Sequence, residues 1–391
     1  MSIAQGHGKI QTVIIEKIIP GGEGIFRVDG RAGMVAGVLP GEVVEVTLPP
    51  RERGMLRGQL VRIVTPSQHR TQPPCPYAGA CGGCDWQHMP YELQVQQKEL
   101  ILRENLSRLA GSAGEDLSIT VHRSVPWGYR SRVQVHQDSA GAWGFHQRGS
   151  NTVVPIQHCM VATEGINGEI RRLQEESSTP TIGGARQLLV DEDDGSEVTV
   201  RCTVGDVEIA FDRRSFFQSN RPMLGELGNL LHQAVIEAKP DTVMDLYAGA
   251  GVLSALALRE ATTVRRLIAV EQDPRNSAYI NQNLSQSGIS REHITVHTLP
   301  LEQGLSHVPR RSPAVVILDP PRNGLSVPVR RWLLRSQVSR ICYVSCDSAS
   351  FARDLGQLHE RFSVKELHLL DFYPQTSQIE TCAILERRGT E

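Results

Sequence analysis

Residues 343–355 read YVSCDSASFARDL. An apolar, strand-like run ends at Ser345, a thiol follows at Cys346, and a polar turn then opens a helical pattern. A thiol delivered to the mouth of a sheet can meet solvent and substrate. A thiolate there can add to carbon 6 of a pyrimidine, which makes carbon 5 an enolate-like nucleophile able to take a methyl group from a sulfonium. Carbon 5 then carries both the methyl and a hydrogen, so a base must remove that proton before the thiol leaves. The candidate base is Glu380 in DFYPQTSQIETCAIL (371–385), between a proline turn and the last strand. Standing alone, Cys346 would read as a small core residue; its neighbours in sequence favour the nucleophile.

VMDLYAGAGVLSALAL (243–258) reads as a strand, a glycine turn and a helix. Gly249 and Gly251 let the backbone turn tightly and approach a ligand. Glu271 ends the next strand, 20 residues after Gly251, where a carboxylate can accept the hydroxyls of an adenosine ribose. A nicotinamide fingerprint wants a third glycine where this chain has Ser254. Asp319 closes the buried strand of VVILDPPRNGL (315–325), and two prolines fix the loop after it. Glycines, acid and DPP together favour S-adenosylmethionine over a dinucleotide. Methyltransferases acting on exocyclic amines tend to carry Asn-Pro-Pro-aromatic at this place. Asp-Pro-Pro-Arg points away from an adenine amine as acceptor.

A second cysteine group is spaced C-x5-C-G-G-C at Cys75, Cys81 and Cys84, with Cys159 further on in IQHCMVA. Four thiolates suit zinc or an iron–sulfur cluster. All-cysteine zinc sites usually come as two close pairs, and Cys159 has no close partner, so the spacing favours iron–sulfur. His88 reads as a surface or hydrogen-bonded histidine rather than a further ligand. Methyl transfer needs no electron, so such a cluster is expected to tie the segments at 75–84 and 159 together or to help dock the substrate.

These residues need elements to hold them. From Pro222 onward, β-rich runs alternate with helical segments, which implies an α/β catalytic domain with a doubly wound, Rossmann-like sheet and sites at its carboxyl edge. Residues 9–66 read as short strands broken by Gly and Pro, an OB-like β-barrel with Arg51, Arg53 and Arg57 at one apparent loop. A helix is expected from about Pro90 to Leu109, its apolar face formed by Leu93, Leu100, Ile101, Leu106 and Leu109, with Gly111 as its stop. Residues 119–215 look mostly β, with a Gly-bearing hairpin turn inside QLLVDEDDGSEVTVRC. The domain boundaries follow: a barrel over 1–66, a central, mostly β domain with the clustered cysteines over 67–215, and the catalytic domain over 216–391.

The net charge of the 391 residues is −2, which offers no bulk argument for nucleic acid. Residues 1–70 nevertheless carry nine basic against six acidic side chains, and the chain holds 36 Arg against 5 Lys. Arginine grips phosphate two oxygens at a time; a GC-rich genome would produce the same bias. MSIAQGHGKIQ has no secretory h-region and no apolar run approaches a membrane span, so a cytoplasmic, reduced, monomeric protein without membrane contact is expected.

Across nearly its whole length the chain resembles the RNA uracil-5-methyltransferases, which make 5-methyluridine in ribosomal and transfer RNA. The resemblance runs through GEGIFRVDGRAGMVAGVLPGEVVEV (similar to a TRAM domain), the cysteine cluster, YRSRVQVH, FFQSN, DLYAGAG, DPPRNG, SC and YPQTSQIE. It implies Cys346 as nucleophile and Glu380 as proton-abstracting base. It implies that Gln218, Tyr247, Glu271 and Asp319 contact S-adenosylmethionine, and that Cys75, Cys81, Cys84 and Cys159 hold a 4Fe–4S cluster. Cluster plus barrel resemble the ribosomal RNA members more than the transfer RNA ones. The partner is then structured RNA, its phosphates met by the barrel and by Arg130, Arg132 and Arg148. The chain departs from the family in SCDS, where Asn-Pro usually follows the nucleophile, and in Gln378, where a His is usual. Asp347 is expected to raise the thiol's pKa. Two alternatives stay open: the same chemistry on a tRNA uridine or an RNA cytosine, and an RNA-binding protein that has lost catalysis.

Overall fold

The computed structural model describes residues 9–49, 54–176, 185–189, 198–261, 263–310 and 314–389. The first seven strands are β1 (Lys9–Ile14), β2 (Lys17–Ile18), β3 (Gly24–Val28), β4 (Arg31–Val35), β5 (Val43–Leu48), β6 (Leu56–Arg57) and β7 (Gln59–Thr65). They form two sheets, β1-β5-β7 and β2-β3-β4-β6, around one small core. Alternation sets the inner face: Val44, Val46 and Leu48 of β5 point in and meet Phe26 and Val35. Arg51 and Arg53 of the expected basic loop lie outside the described residues, whereas Arg57 stands exposed on β6.

α1 (Tyr91–Leu109) follows, with Pro90 in the cap position and Gly111 just past its end in a left-handed conformation. Its buried face is not the apolar stripe that spacing suggests. Leu100 and Leu109 are 57% and 39% exposed, while Gln94, Lys98 and Asn105 are buried beside Ile101 and Leu106. The polar side chains are satisfied across the interface. Lys98 Nζ donates to Asp371 Oδ1 at 2.6 Å, Gln94 Nε2 to Gln375 Oε1 at 2.9 Å, and Asn105 Nδ2 to Ser348 Oγ at 2.8 Å.

Next come β8 (Thr120–His122), β9 (Arg132–Gln137), β10 (Trp143–His146), β11 (Val153–Pro155), α2 (Glu164–Glu176) and β12 (Ala185–Leu189). Four of these strands make the sheet β11-β10-β9-β12, covered by α2 through Ile166, Ile170 and Leu173. The mostly β expectation for this stretch passes over α2. The hairpin turn expected within QLLVDEDDGSEVTVRC lies outside the described residues. β13 (Thr199–Val204) and β14 (Val207–Asp212) pair as a hairpin.

The remaining elements are α3 (Arg221–Ala238), β15 (Thr242–Leu246), α4 (Val252–Leu258), β16 (Arg266–Glu271), α5 (Pro274–Asn283), β17 (Ile294–Thr298), the short α6 (Leu301–Gly304), β18 (Ala314–Leu318), α7 (Val327–Arg335), β19 (Arg340–Ser345), α8 (Ser348–Leu358), β20 (Phe362–Leu370) and β21 (Glu380–Arg387). Their strands form an eight-stranded sheet in the order β17-β16-β15-β18-β19-β21-β20-β8. Its central strands are buried on both faces, as the near-continuous runs TVMDL and AVVIL require. One face packs under α1, α7 and α8; the other packs under α3, α4, α5 and the β13–β14 hairpin. β21 alone runs against its neighbours. β8, from far upstream, adds the last strand parallel to β20. Among the described residues no helix is long and apolar enough to cross a membrane.

Candidate active site

The reversed direction of β21 decides where the chemistry meets. Parallel strands present their carboxyl ends at one edge, and a strand running the other way presents its beginning there. Ser345 of β19 pairs with Thr381 of β21. Continuing that antiparallel register puts Cys346 directly across from Glu380, on adjoining strands. Asp319 follows Leu318 at the end of the next strand, Tyr247 follows Leu246, and Glu271 ends β16. The five residues thus stand in one row along the sheet's edge.

A cleft of about 940 Å³ opens over the Asp319, Cys346 and Glu380 end of this row, with Gln218 also in its wall. Gln218 arrives from the loop before α3. Asn220 pins that loop, capping the helix at Met223 N–H and donating to Phe372 O at 3.0 Å. Gln218 Oε1 accepts from the Tyr373 hydroxyl at 2.6 Å. Tyr373 also lines the cleft, and sequence reasoning missed it; only its place beside the quoted Pro-Gln-Thr-Ser-Gln run hinted at it. Arg130, Arg132 and Arg322 line the same wall, with the Arg132 guanidinium donating to Ser215 O and Arg213 O, and Gln378 lines it beside Glu380. Phe216 stands at the rim, 76% exposed.

Tyr247 and Glu271 lie further along the edge, outside that cleft's wall. Gly249 and Gly251 both take positive φ, and a Cβ at Gly251 would press on Ile280 at 3.3 Å. Glu271 accepts the Gly249 N–H at 2.8 Å and the Asp273 N–H at 2.7 Å, so the acid and the glycine turn are locked together. Ser254, in place of a third glycine, is fully buried and donates to Asp245. Burial first, then Asp319 and Glu271, push the Asp245 carboxyl up to about 7.

Electrostatics single out the pair. Glu380 is 1% exposed and neither carboxylate oxygen has a hydrogen-bond partner. Burial, with Asp319 adding to it and Arg322 opposing, raises its pKa well above the ordinary carboxyl value. An unpartnered buried carboxyl is costly, and such groups concentrate where a ligand completes the site. The Cys346 thiol is pushed up to about 11, by burial first, then by Glu380 and Asp319, with Arg322 opposing. Asp347 is not the cause. Its carboxylate accepts the Ser350 N–H at 2.7 Å and caps α8.

Cys75, Cys81, Cys84 and Cys159 gather around a second cavity of about 210 Å³. A Cβ at Gly82 would come within 2.9 Å of the backbone at His146 and Arg148, so only glycine fits there. The Gly83 N–H points at Cys81 Sγ at 3.4 Å, and Asn167 grips both the N–H and the carbonyl of Cys159. Burial pushes the Cys84 thiol up to about 12 and raises Cys81 and Cys159 as well. Among the described residues no three His, Cys, Asp or Glu are gathered tightly enough for a single metal ion. His88 is buried and bonded to Val38 O, away from this cavity. Arg130 lines both cavities.

Residues 310–388 match the family model described as tRNA (Uracil-5-)-methyltransferase, and residues 5–61 match the TRAM domain. A relative in Streptomyces coelicolor, named an uncharacterized RNA methyltransferase, is 30% identical over 97% of this chain and 93% of its own length. A 23S rRNA (uracil(1939)-C(5))-methyltransferase of Pseudomonas savastanoi is 28% identical over 97% of this chain and 94% of its own. In fold, the chain is similar to the tRNA (uracil-54, C5)-methyltransferase of Pyrococcus abyssi, solved with S-adenosyl-L-homocysteine. The TM-score is 0.69, with 20% identity and coverage of 96% and 99% of the two chains. Motifs, sheet and whole-length relatives agree: the chain belongs to the RNA uracil-5-methyltransferases and is an S-adenosylmethionine-dependent enzyme of that family.

Proposed function

We propose that the enzyme methylates carbon 5 of a uridine through a covalent Cys346–uracil adduct. Cys346 Sγ bonds to carbon 6 of a base swung out of its stack. When bound, S-adenosylmethionine supplies the sulfonium methyl for carbon 5. Glu380 then takes the carbon 5 proton, the ring double bond re-forms, and the carbon–sulfur bond breaks. Asp319, Gln218, Tyr247 and Glu271 hold the methyl donor. What supports this reading most is the facing of Cys346 and Glu380 in one sheet register, with the Glu380 carboxylate unpartnered. Burial that raises a carboxyl makes it a stronger base for a weakly acidic proton.

The test is a trap. Glu380→Gln should accumulate an RNA–protein adduct that survives denaturing electrophoresis, because addition and methylation proceed while elimination stalls. Cys346→Ser should form none and release no tritium from 5-tritiated uridine. Normal turnover by either variant would falsify the assignment.

For the target, the whole-length similarity to a 23S rRNA methyltransferase supports ribosomal RNA; the likeness to a tRNA methyltransferase is one of fold. Mass mapping of 5-methyluridine in ribosomal and transfer RNA, with and without the gene, separates the two. The barrel up to residue 66 and the arginines of the cleft would hold the flanking phosphates. Cys75, Cys81, Cys84 and Cys159 would hold a 4Fe–4S cluster, whose bonding would offset the burial that raises the Cys81, Cys84 and Cys159 thiols. Iron and sulfide should copurify with the protein and be lost in Cys84→Ser.

A further inference from the structure

The turn that carries Glu380 is held from outside the catalytic sheet. Residues 371–379 join β20 to β21, and Gln375 within them takes φ +66°. Its carbonyl accepts the N–H groups of Asp85 and Trp86 at 2.9 and 3.0 Å. Ser377 donates its N–H at 3.2 Å and its hydroxyl at 2.7 Å to Asp85 Oδ2. Arg148 pairs with the other oxygen, and the Asp85 side chain is only 14% exposed. Asp85 directly follows Cys84. Upstream in the same loop, the Gly82 N–H donates to His146 O at 2.9 Å, two residues before Arg148. The thiol loop, the end of β10 and the turn before Glu380 therefore form one hydrogen-bonded patch. Neither Asp85 nor Ser377 lines the cleft.

We infer that Asp85 is a positioning residue that couples the four-thiol loop to the turn aiming Glu380, so that removal of the carbon 5 proton depends on that loop being intact. The inference rests on the reading of Glu380 as the base. In the step concerned, the C5–H bond breaks and its proton passes to a Glu380 oxygen. Its electron pair forms the C5=C6 double bond, and the C6–S bond breaks to return the Cys346 thiolate. Addition and methylation need Cys346 but not Glu380. A fault in the base-bearing turn therefore delays resolution of the adduct, whereas a general weakening of the fold slows formation and resolution together.

Single-turnover reactions on substrate RNA, resolved by denaturing electrophoresis, separate these outcomes. Asp85→Ala should form the adduct at the wild-type rate and resolve it roughly 10- to 100-fold more slowly, as expected for a reacting group misplaced by a fraction of an ångström to an ångström. Ser377→Ala, a milder cut in the same contact, should show the same split; Asp85→Asn, which keeps an acceptor for Ser377, should recover most of the rate. Iron and sulfide contents should stay at wild-type levels in all three. Removing iron from the wild-type protein by chelation should speed amide hydrogen exchange at 375–379; unchanged exchange would remove the thiol loop from the coupling. Resolution at the wild-type rate in both alanine variants, or parallel loss of formation and resolution, overturns the inference. Glu380→Gln run alongside tells the two failures apart. If it resolves its adduct normally, the base assignment falls; if it stalls while Asp85→Ala does not, the base stands and the coupling falls.

Discussion

The Cys346 thiol starts from an unreactive condition. Burial and two nearby acids favour its neutral form, against which Arg322 and a backbone hydrogen bond work. The signs fix the pH behaviour: the thiolate is the nucleophile, so reactivity climbs as pH rises toward about 11 rather than levelling near 9. Alkylation of Cys346 by iodoacetamide, followed by peptide mass mapping across pH, should show that climb. Arg322→Ala should slow alkylation at pH 8 roughly 2- to 10-fold, since up to about one pKa unit is lost with an exposed partner. The placement of Cys346, Glu380 and Asp319 at one edge of the sheet was legible in the sequence because each follows or precedes a strand-like run. Gln218 and Tyr247 were legible only through family resemblance. Asp85 and Tyr373 were not legible: their roles are contacts with residues 292 and 155 positions away, which no local spacing encodes.

At the scale of elements, α1 shows how an apolar-face rule can mislead. Spacing alone assigned Leu100 and Leu109 to the core, yet the helix turns Lys98 inward, where the ion pair with Asp371 is wholly buried. Burial pushes the Lys98 pKa down and Asp371 holds it back. Lys98→Ala would strand a carboxylate in the interior and should cost about 3–5 kcal/mol of unfolding free energy. Lys98→Met combined with Asp371→Leu should recover much of that loss; denaturant unfolding of the two variants makes the comparison. α2 was overlooked for the opposite reason. Ile166, Ile170 and Leu173 do recur at helical spacing, but the surrounding strands drew the whole region into a β reading. The strands β15, β16, β18 and β19 were easy to read, since nearly continuous apolar runs between helical segments admit few other interpretations.

At the scale of the molecule, the catalytic sheet does not end where the chain's texture changes. Its outermost strand, β8, and its covering helix, α1, come from residues before 123. A fragment of residues 216–391 would leave the edge of β20 at His368–Leu370 unpaired and strip α8 of its neighbour. That fragment should aggregate on size-exclusion chromatography, while a fragment of residues 67–391 should stay monomeric with native-like circular dichroism. The sequence could suggest a boundary near 216 because helix–strand alternation begins there. It could not show that a three-residue strand, Thr120–His122, completes the sheet, because so short a segment carries almost no periodicity of its own.

The pairing of Ser345 with Thr381 has a bearing on heat and solvent. Adjoining strands keep a spacing near 4.8 Å that ladder hydrogen bonds hold fixed. The separation of the two backbones is thus set by the ladder, and the turn before Glu380 has only the side chain left to aim. Warming or mild urea should loosen the grip on RNA well before it spoils the fit of a single ring between Cys346 and Glu380.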